Sequence, residues 1–381
     1  MKRFCCFFVA VVLLAGMFPV SAKAVDMKIE AKSALLMDAA TGTVLYEQNS
    51  HEPLAPASVT KVMTMLLIME AIDSGKIGWN DTVTASEEAA AKGGSQIYLK
   101  VGETMSVADM VKSIAVSSAN DCACAMAEHI AGSEGAFVEQ MNRRAGELGM
   151  QDTKFVNCTG LDDGAEAAEH RTSAHDIALM SRELLVHHPD IKKYTTIWMD
   201  TVRDGAFGLS NTNKMVRFYS GCTGLKTGFT SSAGYCLSSS AQRDGMELIA
   251  VVMGCETSPK RFAACKSMLD YGFASFAVVE PEVPQSAVKV KLGTAQSVRA
   301  VPSQAQPLLI DKAQRSSVTT QVELEEQVTA PVSSGQRLGT LTVKSADQVL
   351  AQIPLVAEQA VERLSFGQIF LQLLRQISMA A

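Results

Sequence analysis

Several common chemistries are excluded by what the chain lacks. Its 34 Lys+Arg residues do not outnumber its 40 Asp+Glu, and a net charge of −6 leaves no basic surface broad enough for nucleic acid. No C-x-x-C pair, Cys/His spacing or H-E-x-x-H is present, so the sequence predicts no metal site. G-x-S-x-G is missing too, which removes the nucleophile elbow of the α/β-hydrolases. No motif asks for a cofactor. Past Val20, no apolar run approaches the length of a bilayer-spanning helix.

What is present describes an exported globular protein. With 381 residues, 47% hydrophobic and 19% charged, the chain has ample material for a core and is long enough for two domains. Lys2 and Arg3 precede an apolar stretch from Phe4 to Val20, and Ala22, Lys23 and Ala24 fit an A-x-A cleavage site. Residues 1–24 are therefore expected to be a signal peptide. Of nine cysteines, Cys5 and Cys6 fall inside it, and the remaining seven are an odd number, so at least one is unpaired. Most are expected to be small buried apolar residues, because a chain this large needs no disulfide scaffold.

The pattern from 25 to 280 predicts an α+β domain. Residues 33–48 read as a hairpin around Thr41-Gly42, and an apolar helix is expected from Ser58 to near Gly75. Helical spacing recurs at 106–117, 121–131, 135–148 and 173–186, the last capped from within "HRTSAHD". Strands return with "GLKTGFT" and a hairpin turning at Asp244-Gly245, and a helix over 260–276 follows. The first and last strands are expected to share one sheet. After "VVEPEVPQ" the chain shows short alternating runs, predicting a second, all-β domain over 283–356. Residues 357–381 carry an apolar stripe of Leu364, Phe366, Ile369, Phe370, Leu373, Leu374 and Ile377. That stripe predicts an amphipathic helix lying in a membrane surface, with packing on its own β domain as the alternative.

Within "APASVTKVMTMLLIM", Ser58 and Lys61 stand three apart, close to one helical turn, in surroundings that are apolar nearly all round. A buried lysine loses its proton more easily and can act as general base for an adjacent hydroxyl. Alone this spacing is common, and Lys61 could reach the surface by snorkelling. Two further triplets change its weight. "SSAND" carries Ser118 and Asn120 between two helices, and "GLKTGFT" carries Lys226, Thr227 and Gly228 on a strand. Capping or an ordinary strand explains each singly. Neither explains the order S-x-x-K, S-x-N, K-T-G after a signal peptide, on a helix, a loop and a strand.

In these motifs, and in "GGSQIYL", "FVNCTGLDD" and "MLDYGF", the chain resembles the penicillin-binding serine D-alanyl-D-alanine carboxypeptidases of low molecular mass, especially their sporulation-associated members. The resemblance covers nearly the whole chain, with the β domain and tail in the same order. It implies a penicillin-binding, serine β-lactamase-like fold: an antiparallel sheet flanked by helices, then the small all-β domain. It also implies release of the terminal D-Ala from peptidoglycan stem peptides, inhibition by β-lactams, and a peripheral place on the outer face of the cytoplasmic membrane. Ser58 would be the nucleophile and Lys61 its base, with a pKa lowered by burial and by Lys226. Ser118 would pass a proton to the leaving amine. Asn120 would hold Lys61 and a substrate amide, and Lys226 with Thr227 would hold the terminal carboxylate. Gly228 would let the strand approach the ligand, while the backbone N–H groups of Ser58 and Phe229 would form the oxyanion hole. Arg261 resembles a second carboxylate contact.

The chain departs from the family pattern at Ala119, Phe229, Cys158 and Thr159, and "DDGAEAAEHR" lengthens the loop bordering the site. Two alternatives remain at this point. A class A β-lactamase would require an E-x-x-x-N loop, which does not occur between Asn120 and Lys226. A non-catalytic wall-binding protein would keep the fold without the turnover.

Overall fold

The computed structural model describes residues 27–164, 166–281, 285–303, 307–346 and 348–371. The expected signal peptide lies outside them. The chain divides into two compact units, one over Ala22–Phe276 and one that holds Ala277–Ala381.

The first unit is built on a five-stranded antiparallel sheet of β1 (Ser33–Asp38), β2 (Val44–Gln48), β3 (Cys222–Thr230), β4 (Gly234–Arg243) and β5 (Met246–Cys255), in the order β2-β1-β5-β4-β3. The hairpin at the start of the chain thus pairs with the strands near the end of the unit, with Leu35 opposite Val251. All six residues of β1 and nearly all of β5 are buried. Such continuous apolar strands need cover on both faces. The helices α5 (Ala174–His187) and α6 (Ser258–Ser275) both pack on β1 and β5.

A helical block lies between β2 and β3: α1 (Lys61–Asp73), α2 (Val107–Ser117), α3 (Asn120–Ala131), α4 (Glu134–Glu147) and then α5. Ten of the thirteen residues of α1 are buried, as expected for a helix apolar all round, and α2, α3, α4 and α5 pack against it. Its start differs from the expectation: Ser58 is not on the α-helix but in a single 3-10 turn, Ala57–Thr60, which leads into it. Side-chain caps begin α2, α4 and α5, with Ser106, Ser133 and Ser173 accepting from the backbone N–H three residues on. At the edge of the sheet, β3 runs against the 3-10 turn of Ser58.

In the second unit, the described residues form a six-stranded sheet over a core that includes Val288, Val298, Leu338, Leu341, Val343 and Leu355. The predicted helix over 357–381 begins later than expected. Val361 pairs with Val332 and Arg363 with Gly293, and Val361 is buried in the β core, so its apolar side chain serves the sheet. Helix starts only at Phe366 and is described as far as Leu371; the rest of the predicted stripe lies outside the described residues. Phe366, Phe370 and Leu371 are exposed. No helix among the described residues is long and apolar enough to cross a membrane.

Candidate active site

The structure brings the three motifs to one place. Gly228 shows how closely: a Cβ added there would lie 2.6 Å from the carbonyl oxygen of Pro56 and 3.1 Å from the backbone N of Ser58. Only a residue without a side chain lets the edge strand approach the Ser58 turn this far.

Lys61 is fully buried. Its Nζ lies 3.1 Å from Ser58 Oγ and donates a 2.7 Å hydrogen bond to the carbonyl of Thr159. Burial pulls its pKa down to about 7, against weaker upward pulls from Cys158 and Asp121. An amine with that pKa is neutral in a large fraction of molecules at neutral pH, and its lone pair can receive the Ser58 proton. The Thr159 carbonyl is held in place from below, because Asn157 Oδ1 accepts from the backbone N–H of both Thr159 and Gly160.

Lys226 is equally enclosed, at 1% exposure, and its Nζ donates to its neighbour's carbonyl at Thr227. Burial lowers its pKa well below the usual lysine value, and the charges of Lys61 and Arg261 lower it further. Burial is the leading cause at both amines, and the repulsion between Lys61 and Lys226 opposes charging the two at once. Thr227 is fixed by donating to Thr212 Oγ1 at 2.7 Å.

Ser118 ends α2 in the left-handed region, φ +64°, an uncommon conformation for a residue with a side chain. Asn120 opens α3, and its backbone N–H donates to Ser95 while its Nδ2 donates to Gly93. The adjacent Asp121 carboxylate accepts from the backbone N–H of Ile97 and Leu99, which ties the whole 93–99 loop to the S-x-N corner. The expectation that Asn120 holds Lys61 is not met. The side-chain amide is turned to the Gly93 carbonyl, and Lys61 has the Thr159 carbonyl instead.

Among the described residues, five buried side-chain polar atoms lack a protein partner, and three of them are Ser118 Oγ, Asn120 Oδ1 and Arg261 Nε. Buried polar groups are otherwise nearly always paired, so this concentration marks where a polar ligand gains most. Arg261, only 7% exposed, spends Nη1 on the carbonyls of Gly228 and Cys236, and so braces the K-T-G strand from behind. Phe229 exposes half its side chain and stacks 4.3 Å from the Tyr235 ring. Across the site, Asp162 in the lengthened loop accepts from Ser232, in the turn between β3 and β4.

Three further residues carry no signal in the sequence: Thr159 through its carbonyl, Thr212 through its hydroxyl, and His170 through its imidazole. The first two act through groups that residue type does not announce. All seven cysteines of the first unit are free thiols, six of them buried.

Comparison with known proteins agrees with this geometry. Residues 19–257 match the D-alanyl-D-alanine carboxypeptidase family, and residues 273–363 match the C-terminal domain of penicillin-binding protein 5. The chain is 44% identical to D-alanyl-D-alanine carboxypeptidase DacF of Bacillus subtilis over 90% of its own length and 88% of that protein's. Among solved structures, penicillin-binding protein 5 of Haemophilus influenzae superposes with a TM-score of 0.76 at 31% identity, covering 90% of this chain and all of that one. The ampicillin-bound penicillin-binding protein D2 of Listeria monocytogenes gives a TM-score of 0.59 at 31% identity over 65% of this chain and 99% of its own. With motifs, fold and two consecutive domains in agreement, the chain belongs to the serine D-alanyl-D-alanine carboxypeptidase family.

Proposed function

We propose that the protein is an exported D,D-carboxypeptidase that removes the terminal D-Ala from peptidoglycan stem peptides through an acyl-enzyme on Ser58. The observation that carries this reading is the buried Lys61 amine 3.1 Å from Ser58 Oγ, together with the buried Ser118 Oγ and Asn120 Oδ1, which lack a protein partner.

The steps follow from the groups present. Ser58 attacks the carbonyl carbon of the penultimate D-Ala as its proton passes to the neutral Lys61 amine. The tetrahedral oxyanion is held by the backbone N–H groups of Ser58 and Phe229. The proton then moves from Lys61 through Ser118 to the leaving nitrogen, and free D-Ala departs. Water, activated by the same amine, hydrolyses the ester. Lys226 and Thr227 hold the terminal carboxylate, and an anion arriving there offsets the desolvation of Lys226 and keeps it charged. Asn120 Oδ1 accepts from the substrate amide. Arg261 contributes positive charge behind the strand. A penicillin presents its strained amide and carboxylate to the same groups, but its leaving nitrogen stays tethered in the acyl-enzyme.

The Lys2 and Arg3 start and the apolar stretch after it support export. The exposed Phe366, Phe370 and Leu371 support a peripheral attachment of the C-terminal helix to the outer face of the cytoplasmic membrane. The test is intact-protein mass spectrometry. Wild type is expected to gain the mass of one penicillin at the peptide containing Ser58, and Ser58→Ala to gain none. Purified enzyme is expected to release D-Ala from a pentapeptide ending in D-Ala-D-Ala. Acylation that survives in Ser58→Ala would remove the assignment.

A further inference from the structure

Behind the nucleophile, a directed chain of hydrogen bonds runs through a histidine that touches neither Ser58 nor the cleft. Thr60, next to Lys61, is completely buried, and its Oγ1 donates to the carbonyl of Ala57 at 2.8 Å. Having given its proton there, the hydroxyl must accept from the second group within reach, His170 Nε2, also at 2.8 Å. The tautomer agrees, because His170 Nδ1 accepts from the backbone N–H of Val156 at 3.1 Å, which leaves the ring proton on Nε2.

The bonds therefore run in one direction: Val156 N–H to His170, His170 to Thr60, Thr60 to the Ala57 carbonyl. Their end point is the peptide that precedes the nucleophile. Ala57 has φ +48°, a left-handed backbone that an alanine holds only when its surroundings impose it. The same carbonyl is pressed under Gly160, where an added Cβ would lie 1.9 Å from it. Ring packing completes the hold, with His170 set edge-on to Phe155 at 5.7 Å and only 4% exposed. Burial and the nearby Lys61 charge push the imidazole pKa down to about 4, so it stays the neutral donor that this chain of bonds needs.

We infer that His170 is a positioning residue for acylation: through Thr60 it fixes the Ala57 carbonyl and the left-handed turn, and thereby the aim of Ser58 Oγ at Lys61 and the substrate. The inference rests on the acyl-enzyme reading above. A glutamine offers a donor and an acceptor on one plane and can replace the imidazole in both bonds; phenylalanine and alanine can replace it in neither.

The test is penicillin acylation followed by stopped flow, separating the noncovalent dissociation constant from the acylation rate constant, with thermal melting on each variant. His170→Phe and His170→Ala are expected to lower the rate constant by about 10- to 100-fold, the scale of a small misaim of reacting groups. The dissociation constant should stay within about threefold, because the cleft walls are untouched. His170→Gln is expected to restore the rate to within about fivefold, and Thr60→Val, nearly the same shape without the hydroxyl, to reproduce the loss. His170→Ala combined with Thr60→Val should be no slower than either alone, since both break one path. Wild-type rates in a folded His170→Ala or in Thr60→Val, multiplying losses in the double variant, or a His170→Gln as slow as His170→Ala would each overturn the inference. If His170→Ala does not fold, Thr60→Val and His170→Gln decide the question. A wild type that penicillin fails to acylate would instead overturn the proposed function.

Discussion

Lysine is among the residues most seldom buried, and this fold encloses two, Lys61 and Lys226, in one cleft. Enclosure converts Lys61 from a surface cation into a base that works near neutrality, and the direction of its shift fixes the sign of a pH dependence. Below a pKa of about 7 the amine carries a proton and has no lone pair for Ser58; above it the amine is neutral. Acylation by penicillin at saturating concentration is thus expected to rise about tenfold per pH unit at low pH and to level off above a midpoint near 7. A rate flat from pH 5 to pH 9 would show that Lys61 is not the base. Lys61→Arg keeps the charge but not the ability to give it up, so acylation is expected to fall by at least about 1000-fold while the fold is retained.

The site is assembled from ends and edges of elements: the 3-10 turn ahead of α1, the corner between α2 and α3, and the edge strand β3. Glycine sets the distances between them. Gly228→Ala is expected to drive its Cβ against the Pro56 carbonyl and the Ser58 N–H, pushing the strand off the nucleophile. Its acylation rate should fall by about 100-fold, with a melting temperature lowered by only a few degrees because the displaced strand is an edge. Gly160→Ala is a different case. Its Cβ would meet the Ala57 carbonyl at 1.9 Å from a backbone already at φ +80°, so destabilisation of about 3 kcal/mol or more is expected from overpacking and a left-handed alanine together, measured by urea unfolding. These motifs were legible because they depend on residue type at fixed spacing. The 3-10 form of the Ser58 turn was not, since one i to i+3 turn and the first turn of an α-helix share the same apolar pattern. The hairpin of Met199–Val202 with Phe207–Ser210 also went unread, because mostly exposed strands carry little alternation for the eye to find. His170 was hidden for a related reason: its partners come from Thr60 and Val156, far from it in sequence, and nothing near it announces burial.

For the whole molecule, the order of elements was readable because the strand pair at the start has no neighbours of its own and must be completed by the last strands of the unit, as the Leu35 and Val251 pairing bears out. The tail differs for the opposite reason: no residue type between 357 and 365 marks a strand, and only the pairing of Val361 with Val332 assigns that stretch to the sheet. That pairing also dictates how the tail should be cut. A stop after Leu364 keeps Val361 and Arg363 on the β core and removes the helix that carries the exposed Phe366, Phe370 and Leu371. On the proposed reading the helix would give its apolar area to a lipid interface, whereas the groups proposed for catalysis all lie within residues 57–261. The full mature chain is therefore expected to sediment with phospholipid vesicles, the form stopped after Leu364 to bind them at least about tenfold more weakly, and both to release D-Ala from a soluble pentapeptide at the same rate. Equal vesicle binding by the two forms would assign that exposed apolar surface to something other than lipid.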